Sequence, residues 1–515
     1  MTTVDRVKAH GWYLPLVLSL AACATAADNT AVRSPAVAGS FYPANPAQLE
    51  GAVRAYLREA RPPSGERPLA ILAPHAGYLF SGQIAADGYR EAQGFPVDVV
   101  VVLGTNHTTP GFEGVSVYAG AGFRTPLGVA AVDQEVVAAL AAADRRFGYQ
   151  GEVHVREHSI EVQVPFVQVA FPSAKIVAAV VGEPDIPLCR DFGRALAHAL
   201  QGKRALIVAS SDLSHYPSHA DAIASDSAVL KAVARLDLDD LQRTVETELG
   251  RRRPALSTCA CGLAPLMAAL AAAQAEGAGH ARVISYANSG DTVLADPDRV
   301  VGYGSVAVYA GPGKTDVSAL EMAAPPSGPL PLDSAEKEAL LALARTTIER
   351  FLDTQTAPLP RTADVALHQH RGAFVTLTQH GQLRGCVGHM VADLPVEQVV
   401  GMMALQAAFN DRRFQPVRRN EVDGLEVEIS LLTPYRRVSG PSAIVLGRDG
   451  VLLEKSGHSA VYLPQVAPEQ GWNLDQTLGH LCEKAGLHGD CWRGAKLSTF
   501  QAEVFSEDET RSQRP

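Results

Sequence analysis

Three histidines of this chain each lie a few residues after a run of apolar residues: His75, His107 and His215. The runs have the length and composition of buried strands. Because loops at one edge of a parallel sheet converge, side chains far apart in sequence can meet there around one cavity. A single histidine is usually structural. Three at equivalent strand ends favour a shared site, since imidazole is the commonest protein ligand for metals and a second polar group usually orients its ring.

Acidic residues accompany these histidines. Asp212 precedes His215 by three residues and is a candidate to orient that ring or to transfer a proton. His158 and Glu161 are one helical turn apart, so they could face the same pocket. The alternative for this pair is the start of a capped helix with a solvated face. The sequence leaves both interpretations open.

Cys261 precedes an alanine-rich stretch that predicts a helix over residues 262–275. At a helix N-terminus the macrodipole lowers the pKa of a thiol and favours its thiolate form. Cys261 is therefore placed to be a metal ligand or a reactive thiol. Considered without the histidines, it would be interpreted more simply as a small buried apolar residue.

The elements that position these residues alternate between strands and helices from residue 35 to residue 311. This order predicts an α/β domain with a mostly parallel sheet and helices on both faces. The strands are expected at residues 69–73, 97–103, 176–181, 205–209, 283–286 and 306–309. The clearest helices are expected at residues 48–59, 133–143, 188–200, 220–234 and 262–275.

A second domain is expected because 515 residues exceed what one ordinary core accommodates. Residues 312–332 are rich in proline and glycine, which predicts a linker. Residues 333–505 mix strands and helices as an α+β domain does, and residues 506–515 form a polar tail. The strands of this second domain are expected at residues 373–378, 425–432 and 450–455. Its first helix is expected to run from a cap at Asp333 or Ser334 to about residue 352, and two more helices are expected at 396–409 and 474–485.

Residues 1–34 have the order of a secretory leader and tether: Arg6 and Lys8, an apolar segment, then small residues. The segment is too short to cross a bilayer as a stable helix. Leu20 to Cys23 also resembles a bacterial lipobox, in which the cysteine is lipidated. We therefore expect a lipoprotein of the bacterial envelope that faces the periplasm and touches the membrane only through Cys23. The alternative is a cytoplasmic protein whose start codon is placed too far upstream.

The composition excludes some classes of partner. The formal net charge is −10 and basic residues form only short runs, which argues against a nucleic-acid surface. Seven cysteines are too few and too scattered for a disulfide scaffold. Cys259 and Cys261 have the spacing Cys-x-Cys, which differs from that of zinc and thioredoxin-type sites. These features favour a small-molecule or protein partner.

In the second domain, Cys386 follows a glycine and lies two residues after Arg384, whose cation would favour a reactive thiolate. The alternative is a tight, glycine-dependent turn with an inert cysteine. Arg384, Arg412 and Arg413 either bind an anionic ligand in one groove or form structural ion pairs. His389 is a further candidate ligand.

The ordered motifs of residues 35–311 resemble those of the Memo family, and residues 333–505 resemble the AMMECR family. The Memo-like motifs are Ala38 to Pro43, Pro74 to Tyr78, Gly104 to His107, Glu157 to Glu161, Ser210 to His215, and Cys261-Gly262. The AMMECR-like stretches are Leu383 to His389, Phe409 to Val417 and Leu425 to Pro434. Two further residues inside the Memo-like motifs, Tyr78 and Asn106, are assigned to the same pocket as His158 and Glu161.

The resemblance implies the fold of the class III non-heme iron extradiol dioxygenases, the LigB type. It also implies that His75, His107 and Cys261 are metal ligands, with His215 as acid, base or substrate contact and Asp212 beside it. The dioxygenases hold iron(II) with two histidines and a carboxylate. A cysteine stands here in place of the carboxylate, and a thiolate favours copper(I) or a redox-active iron site.

Three functions are therefore considered. The first is a metal-binding redox protein or oxidoreductase of the Memo type that holds iron or copper and acts on an unidentified small molecule. The alternatives are a ligand-binding or scaffold module without turnover, and an extradiol-type dioxygenase. Memo-like and AMMECR-like proteins are associated in bacteria with a radical SAM protein, in the arrangement called the AmmeMemoRadiSam system. The resemblance thus implies a radical SAM partner, and the sequence itself has no Cys-x-x-x-Cys-x-x-Cys motif.

Overall fold

The computed structural model describes residues 30–294, 296–321, 330–361 and 364–512. The leader with Cys23 lies outside the described residues, so the predicted lipobox is not tested. In the part of the chain that is described, no helix is both long enough and apolar enough to cross a membrane.

The first domain consists of ten strands and nine helices in its described residues. The strands are β1 (Val32–Arg33), β2 (Pro68–Ala73), β3 (Val99–Thr105), β4 (Val115–Val117), β5 (Gly122–Thr125), β6 (Gly128–Ala131), β7 (Lys175–Val181), β8 (Ala205–Ser210), β9 (Ala278–Asn288) and β10 (Gly302–Ala310). The helices are α1 (Pro46–Glu59), α2 (Tyr78–Ala92), α3 (Gln134–Ala143), α4 (Gly151–Val155), α5 (Val164–Ala170), α6 (Ile186–Ala199), α7 (His219–Ala234), α8 (Leu238–Gly250) and α9 (Leu263–Ala275).

The main sheet has the strand order β4-β7-β3-β8-β2-β10-β9. The four strands β7, β3, β8 and β2 are parallel to their neighbours in this group. Every residue of β3 and β8 is buried, so both faces of the sheet are covered. The predicted α/β fold, a mostly parallel sheet with helices on both faces, is confirmed.

The edge strands β4 and β9, and β10 beside β9, pair antiparallel with their neighbours. β9 is joined to β10 by residues 289–301, whose described part holds a 3₁₀ turn (Ser289–Asp291) and no crossover helix. A parallel pair is usually joined by a crossover helix, so a connection without one in its described part fits the antiparallel pairing of the two strands. The sequence pattern alone did not reveal their direction.

Helix α2 was not among the predicted helices because it contains Gly82 and Gly88, which lower helix propensity. The structure shows why glycine fits at these positions. A Cβ atom on Gly82 would lie 2.5 Å from the ring of Tyr56, and one on Gly88 would lie 2.7 Å from the hydroxyl of Ser305. Helix α2 therefore packs closely against α1 and β10, directly after the loop that carries His75.

The second domain begins with α10 (Ser334–Thr354), which Asp333 caps in a reciprocal arrangement with Glu336. The other helices are α11 (Val396–Leu405), α12 (Val466–Gln470), α13 (Leu474–Lys484) and α14 (Glu507–Ser512). The strands are β11 (Ala373–Gln379), β12 (Gln382–His389), β13 (Leu425–Leu432), β14 (Arg436–Arg437), β15 (Gly450–Lys455), β16 (His458–Tyr462), β17 (Lys496–Phe500) and β18 (Ala502–Ser506).

Two four-stranded sheets form the second domain, in the orders β12-β11-β13-β18 and β14-β17-β15-β16. This is the predicted α+β domain. Two local features were not predicted. Cys386 lies on β12 and not in a turn, so the alternative of a glycine-dependent turn is wrong. Cys482 and Cys491 form a disulfide bond, which the scattered cysteines did not indicate.

Polar and apolar contacts join the two domains. Arg361 donates two hydrogen bonds to the buried carboxylate of Asp87, at 3.0 and 2.7 Å. Arg350 pairs with Glu59 and lies over the ring of Tyr56. The apolar part of this interface is built from both domains and consists of Leu79, Val293, Phe351, Ala357, Leu405 and Phe409. The domains thus meet through a packed interface in addition to the linker.

Candidate metal centre

The loops that follow β2 and β3 bring two of the predicted histidines together with the predicted cysteine. The ligand atoms of His75, His107 and Cys261 lie within 4.8 Å of one another. The sulfur of Cys261 is 3.2 Å from Nε2 of His75. The rings of His75 and His107 are 5.2 Å apart and nearly perpendicular. The central strands are parallel, so their carboxyl ends meet at this edge of the sheet.

Hydrogen bonds fix the tautomer of His75. Its Nδ1 lies 3.1 Å from the hydroxyl oxygen of Ser210, at the end of β8. That hydroxyl donates its hydrogen to the carbonyl of Ser159, at 2.6 Å. Because a serine has one hydroxyl hydrogen, Ser210 accepts from His75, and Nδ1 carries the proton. The lone pair of Nε2 is therefore directed toward Cys261.

The buried carboxylate of Glu157 orients His107. One oxygen lies 2.9 Å from Nδ1 of His107 and also accepts from the backbone N–H of Ser159, while the other accepts from the backbone N–H of His107. Burial opposes ionisation of Glu157, but the hydrogen bonds from His107 and Ser159 prevail and lower its pKa to about 2. A carboxylate on Nδ1 leaves Nε2 of His107 to bind a metal, which is the usual arrangement around protein metal sites.

Cys261 is held by its backbone N–H, which donates to the carbonyl of Asp212 at 3.2 Å. It precedes α9, whose N-cap is Gly262. The expected lowering of its pKa by the helix is not found: burial raises the pKa of the thiol, and the nearby Asp212 carboxylate adds to this effect. Cys261 is therefore a thiol at neutral pH, and a bound cation is what would stabilise its thiolate form.

Three more polar residues surround these ligand atoms. The ring of His158 stacks on that of His107 at 4.5 Å and lies 5.5 Å from that of His75. Asp212 accepts the backbone N–H of His75 at 2.8 Å. His215, Asp212 and Cys261 form a second group of candidate ligands, and Nε2 of His215 is buried without a hydrogen-bond partner among the described residues. All five predicted ligand and catalytic residues thus lie in one cluster.

Burial keeps His75, His158 and His215 neutral. It lowers the pKa of His75 to about 3, with a further contribution from His107, and the pKa of His158 to about 4. Burial also lowers the pKa of His215 and raises that of Asp212. Neutral imidazoles bind metals and imidazolium ions do not. Two imidazole nitrogens and one sulfur form a donor set that fits a transition metal.

The other residues assigned to the pocket use their polar groups in other contacts. Glu161 accepts hydrogen bonds from Arg33 and Tyr42, so it faces away from His158. The reason is local: Glu161 begins a 3₁₀ turn (Glu161–Gln163), and His158 precedes that turn instead of sharing a helix with it. The hydroxyl of Tyr78 donates to the carbonyl of Val162 in the core. The side chain of Asn106 bonds to the backbone of its own loop.

Three residues that support the site were not predicted: Glu157, Gln163 and Ser210. Gln163 donates to Ser210 at 3.0 Å and to the carbonyl of Pro74 at 2.8 Å, so it fixes the loop that carries His75. The available signal was the position of Glu157 directly before His158. The sequence did not reveal which of the two nearby glutamates faces the histidines.

Both domains match known protein families. Residues 33–307, more than half of the chain, match the family described as Memo-like protein. The chain belongs to the Memo family. Residues 341–505 match the AMMECR1 family, so both domains occur in one chain.

Proteins similar to parts of this chain occur in several organisms. A MEMO1 family protein of Aquifex aeolicus is 37% identical over 277 residues, which cover 53% of this chain and 97% of that protein. A MEMO1 family protein of Methanopyrus kandleri is 34% identical over 294 residues, covering 54% of this chain and 99% of that protein. A protein of Methanosarcina barkeri is 38% identical over 188 residues, covering 35% of this chain and 93% of that protein.

In the AMMECR1 domain, the arginines near Cys386 have acidic partners. Arg384 pairs with Glu421 at 2.9 Å, and Arg413 pairs with Asp411 at 2.7 Å. Asp411 also accepts the backbone N–H of Cys386. These two arginines therefore fit the interpretation as structural ion pairs. Arg412 is exposed, and His389 pairs with Asp393 at 2.6 Å.

The contact between Glu157 and His107 leads to a prediction for the Memo domain. Glu157→Gln is expected to weaken metal affinity by about ten- to a hundredfold. The wild-type carboxylate orients the ring of His107 and raises its basicity, and the amide does neither as well. A competition titration against a chelator of known affinity measures this. Glu152→Gln, an exposed glutamate on α4, is the matched control and should leave affinity unchanged. Equal affinity in Glu157→Gln and the wild type would contradict the assigned role.

Proposed function

We propose that the Memo domain binds iron or copper through His75, His107 and Cys261 and uses it in redox chemistry on a small molecule. The observation that carries this proposal is the group of three ligand atoms within 4.8 Å of one another. The second nitrogen of each ring is already engaged, by Ser210 and by Glu157. Two pre-oriented imidazoles beside a thiol are suited to a transition metal.

A bound iron or copper ion would supply reversible one-electron oxidation and reduction. The residues around the three ligands would handle protons. The Nε2 atom of His215 has no hydrogen-bond partner among the described residues, so it is free to bind a substrate hydroxyl or to accept its proton. Asp212 lies between the loop of His75 and Cys261 and holds both through backbone hydrogen bonds.

The thiol favours the redox function over ring cleavage. Extradiol dioxygenases need two histidines and a carboxylate around iron(II). Here Cys261, and not a carboxylate, completes the group that contains both His75 and His107. Asp212 groups instead with His215 and Cys261. Glu157 groups with His107 and His158, but its two oxygens are already engaged with His107 and Ser159.

The decisive experiment measures the metal content of purified full-length chains by mass spectrometry. We expect about one iron or copper ion per wild-type chain and less than about a fifth of that in His107→Ala and in Cys261→Ser, since each removes one of three protein ligands. His198→Ala, an exposed histidine on α6, and Cys189→Ala, a buried cysteine outside the cluster, are matched controls. Unchanged metal content in both ligand variants, with circular dichroism showing folded protein, would exclude this site.

For location, we propose an envelope lipoprotein anchored through Cys23. The disulfide bond of Cys482 and Cys491 supports an oxidising compartment such as the periplasm. Membrane fractionation tests this: Cys23→Ala should move the chain from the membrane fraction to the soluble fraction. Retention of Cys23→Ala in the membrane fraction would contradict the lipid anchor.

The same experiment bears on the proposed radical SAM partner, which is supported by the fusion of a Memo domain to an AMMECR1 domain. A cytosolic radical enzyme meets this chain only if the chain is also cytosolic. We therefore propose this partner for the cytoplasmic alternative, in which both Cys23→Ala and the wild type are found in the cytosolic fraction.

A further inference from the structure

The AMMECR1 domain contacts the connection between β9 and β10 of the Memo domain through Gln398. This side chain lies near the start of α11 and is almost fully buried. Its amide nitrogen donates to the carbonyl of Thr292 at 3.0 Å and to the carbonyl of Gly290. Both carbonyls belong to the connection between β9 and β10. One side chain of the second domain thus holds two backbone groups of the first.

The turn that Gln398 contacts, Ser289–Asp291, is held together by several hydrogen bonds. The side-chain oxygen of Asn288 accepts the backbone N–H of Gly290 at 2.8 Å. The carboxylate of Asp291 accepts the backbone N–H of Asn288 at 2.7 Å. Ser289 is bound to Val301 twice: its backbone N–H donates to the carbonyl of Val301 at 2.9 Å, and its hydroxyl accepts the N–H of Val301 at 3.0 Å. A displacement of the turn therefore displaces Val301.

Val301 lies next to His215. The backbone of His215 forms antiparallel bridges with Val301 on one side and with Thr258, three residues before Cys261, on the other. Backbone hydrogen bonds also join the loop that carries His215 to residues 300–302. The N–H of Leu213 donates to the carbonyl of Gly302, and the N–H of Tyr216 donates to the carbonyl of Val300. The position of His215 is thus set by residues 300–302.

A second connection runs through Asp226, which is fully buried. Ser214, the neighbour of His215, donates its backbone N–H and its hydroxyl to this carboxyl group, both at 2.9 Å. Tyr286 donates to it from the other side at 2.9 Å, and Asn288 donates to the Tyr286 hydroxyl at 3.5 Å. Asn288 is the cap of the turn held by Gln398. Both routes therefore lead from the AMMECR1 domain to the loop of His215.

We propose that Gln398 is a positioning residue, by which the AMMECR1 domain holds the turn Ser289–Asp291 and, through Val301 and Asn288, fixes His215 beside Cys261. The second domain is then part of the framework of the metal centre. The consequence for catalysis rests on the proposed redox function, whereas the positioning itself does not require a metal.

Hydrogen–deuterium exchange of the full-length chain, followed by mass spectrometry, tests the positioning. Gln398→Ala should speed exchange in peptides covering residues 213–219 and 289–302 on the order of tenfold, because losing about 1.4 kcal/mol of hydrogen bonding raises local opening by that factor. Gln369→Ala is the matched control. Gln369 is a buried glutamine that also donates to backbone carbonyls, but those of Leu330 and Ala366 in its own domain.

A chemical readout is independent of exchange. In chelator-treated protein, iodoacetamide should alkylate Cys261 faster in Gln398→Ala than in Gln369→Ala, since the loop beside the thiol opens more often. The proposal is overturned if exchange in Gln398→Ala becomes faster only at residues 289–293. It is also overturned if Gln369→Ala speeds exchange at residues 213–219 as much as Gln398→Ala does. If Gln398→Ala does not fold, Gln398→Glu, which keeps the shape and loses the donor, carries the same test. Neither readout depends on metal content, so these experiments test the positioning of His215 independently of the proposed function.

Discussion

Glu161→Ala should lower the stability of the Memo domain by about 3–5 kcal/mol, the usual cost of removing one partner from a buried ion pair. Glu161 is fully buried and lies 2.5 Å from the guanidinium of Arg33. Its carboxylate also accepts the hydroxyl of Tyr42 and the backbone N–H groups of Ala36 and Val37. The substitution therefore leaves a buried cation and three donors without their acceptor.

The measurement is the thermal unfolding midpoint of the full-length chain, which should fall by on the order of 10 °C. The matched control is Glu135→Ala, since Glu135 is an exposed glutamate that pairs with Lys203. Exposed pairs contribute about 0–1 kcal/mol, so the control should shift the midpoint little. A shift in Glu161→Ala no larger than in the control would show that the N-terminal segment is not held by this carboxylate.

Arg361→Met should have a comparable effect at the domain interface, again about 3–5 kcal/mol. Asp87 is fully buried in the Memo domain, and Arg361 of the other domain is its cationic partner. Without the guanidinium, the remaining donors to the carboxylate among the described residues are the hydroxyl of Ser285 and the backbone N–H of Arg61. Two neutral donors do not offset the cost of burying a charge. Calorimetry should show a lower and broader transition as the domains lose their coupling.

A double variant tests whether the unpaired charge of Asp87 causes this loss of stability. Asp87→Asn combined with Arg361→Met removes both charges, so it should be more stable than Arg361→Met alone. Glu50→Gln provides the contrast, because Glu50 and Arg54 are 49% and 58% exposed in their pair, and the substitution should cost less than about 1 kcal/mol. If the double variant is as unstable as the sum of the two single variants, the charge of Asp87 is not the cause.

The sequence was sufficient to locate the central strands and the groups at their ends. Uninterrupted apolar runs identify strands buried on both faces, and the residues just after them must share one edge of the sheet. For this reason His75 and His107, 32 positions apart in the printed sequence, were expected to meet, and they do. Cys261 was placed with them through the family resemblance and the predicted helix.

The directions of single side chains could not be predicted. Glu157 and Glu161 have the same chemistry and flank the same histidine. Which one faces the metal ligands depends on where a 3₁₀ turn begins, and the sequence pattern does not specify this. The pKa of Cys261 was also misjudged, because the helix dipole is known from sequence whereas burial is known only from the fold.

Contacts between the domains were beyond sequence reasoning for a different reason. Arg361, Gln398 and Asp87 are common polar residues without a periodic pattern, and nothing local marks them as partners. The disulfide of Cys482 and Cys491 is similar, since one cysteine ends a helix and the other lies in a loop nine residues later. Such pairs follow from how elements pack, which propensity and periodicity do not encode.

The order of strands in the sheet also determines when the candidate metal site can form during synthesis. Strand β2, which leads to His75, pairs with β8 and β10 and not with β3, the next strand of the main sheet in the chain. Cys261 follows His75 by 186 positions. At about 5–20 residues per second, the ribosome needs roughly 10 to 40 s to make that interval. The nascent chain thus exposes His75 and His107 well before their thiol partner exists, so we expect the metal to be inserted after translation of the whole domain.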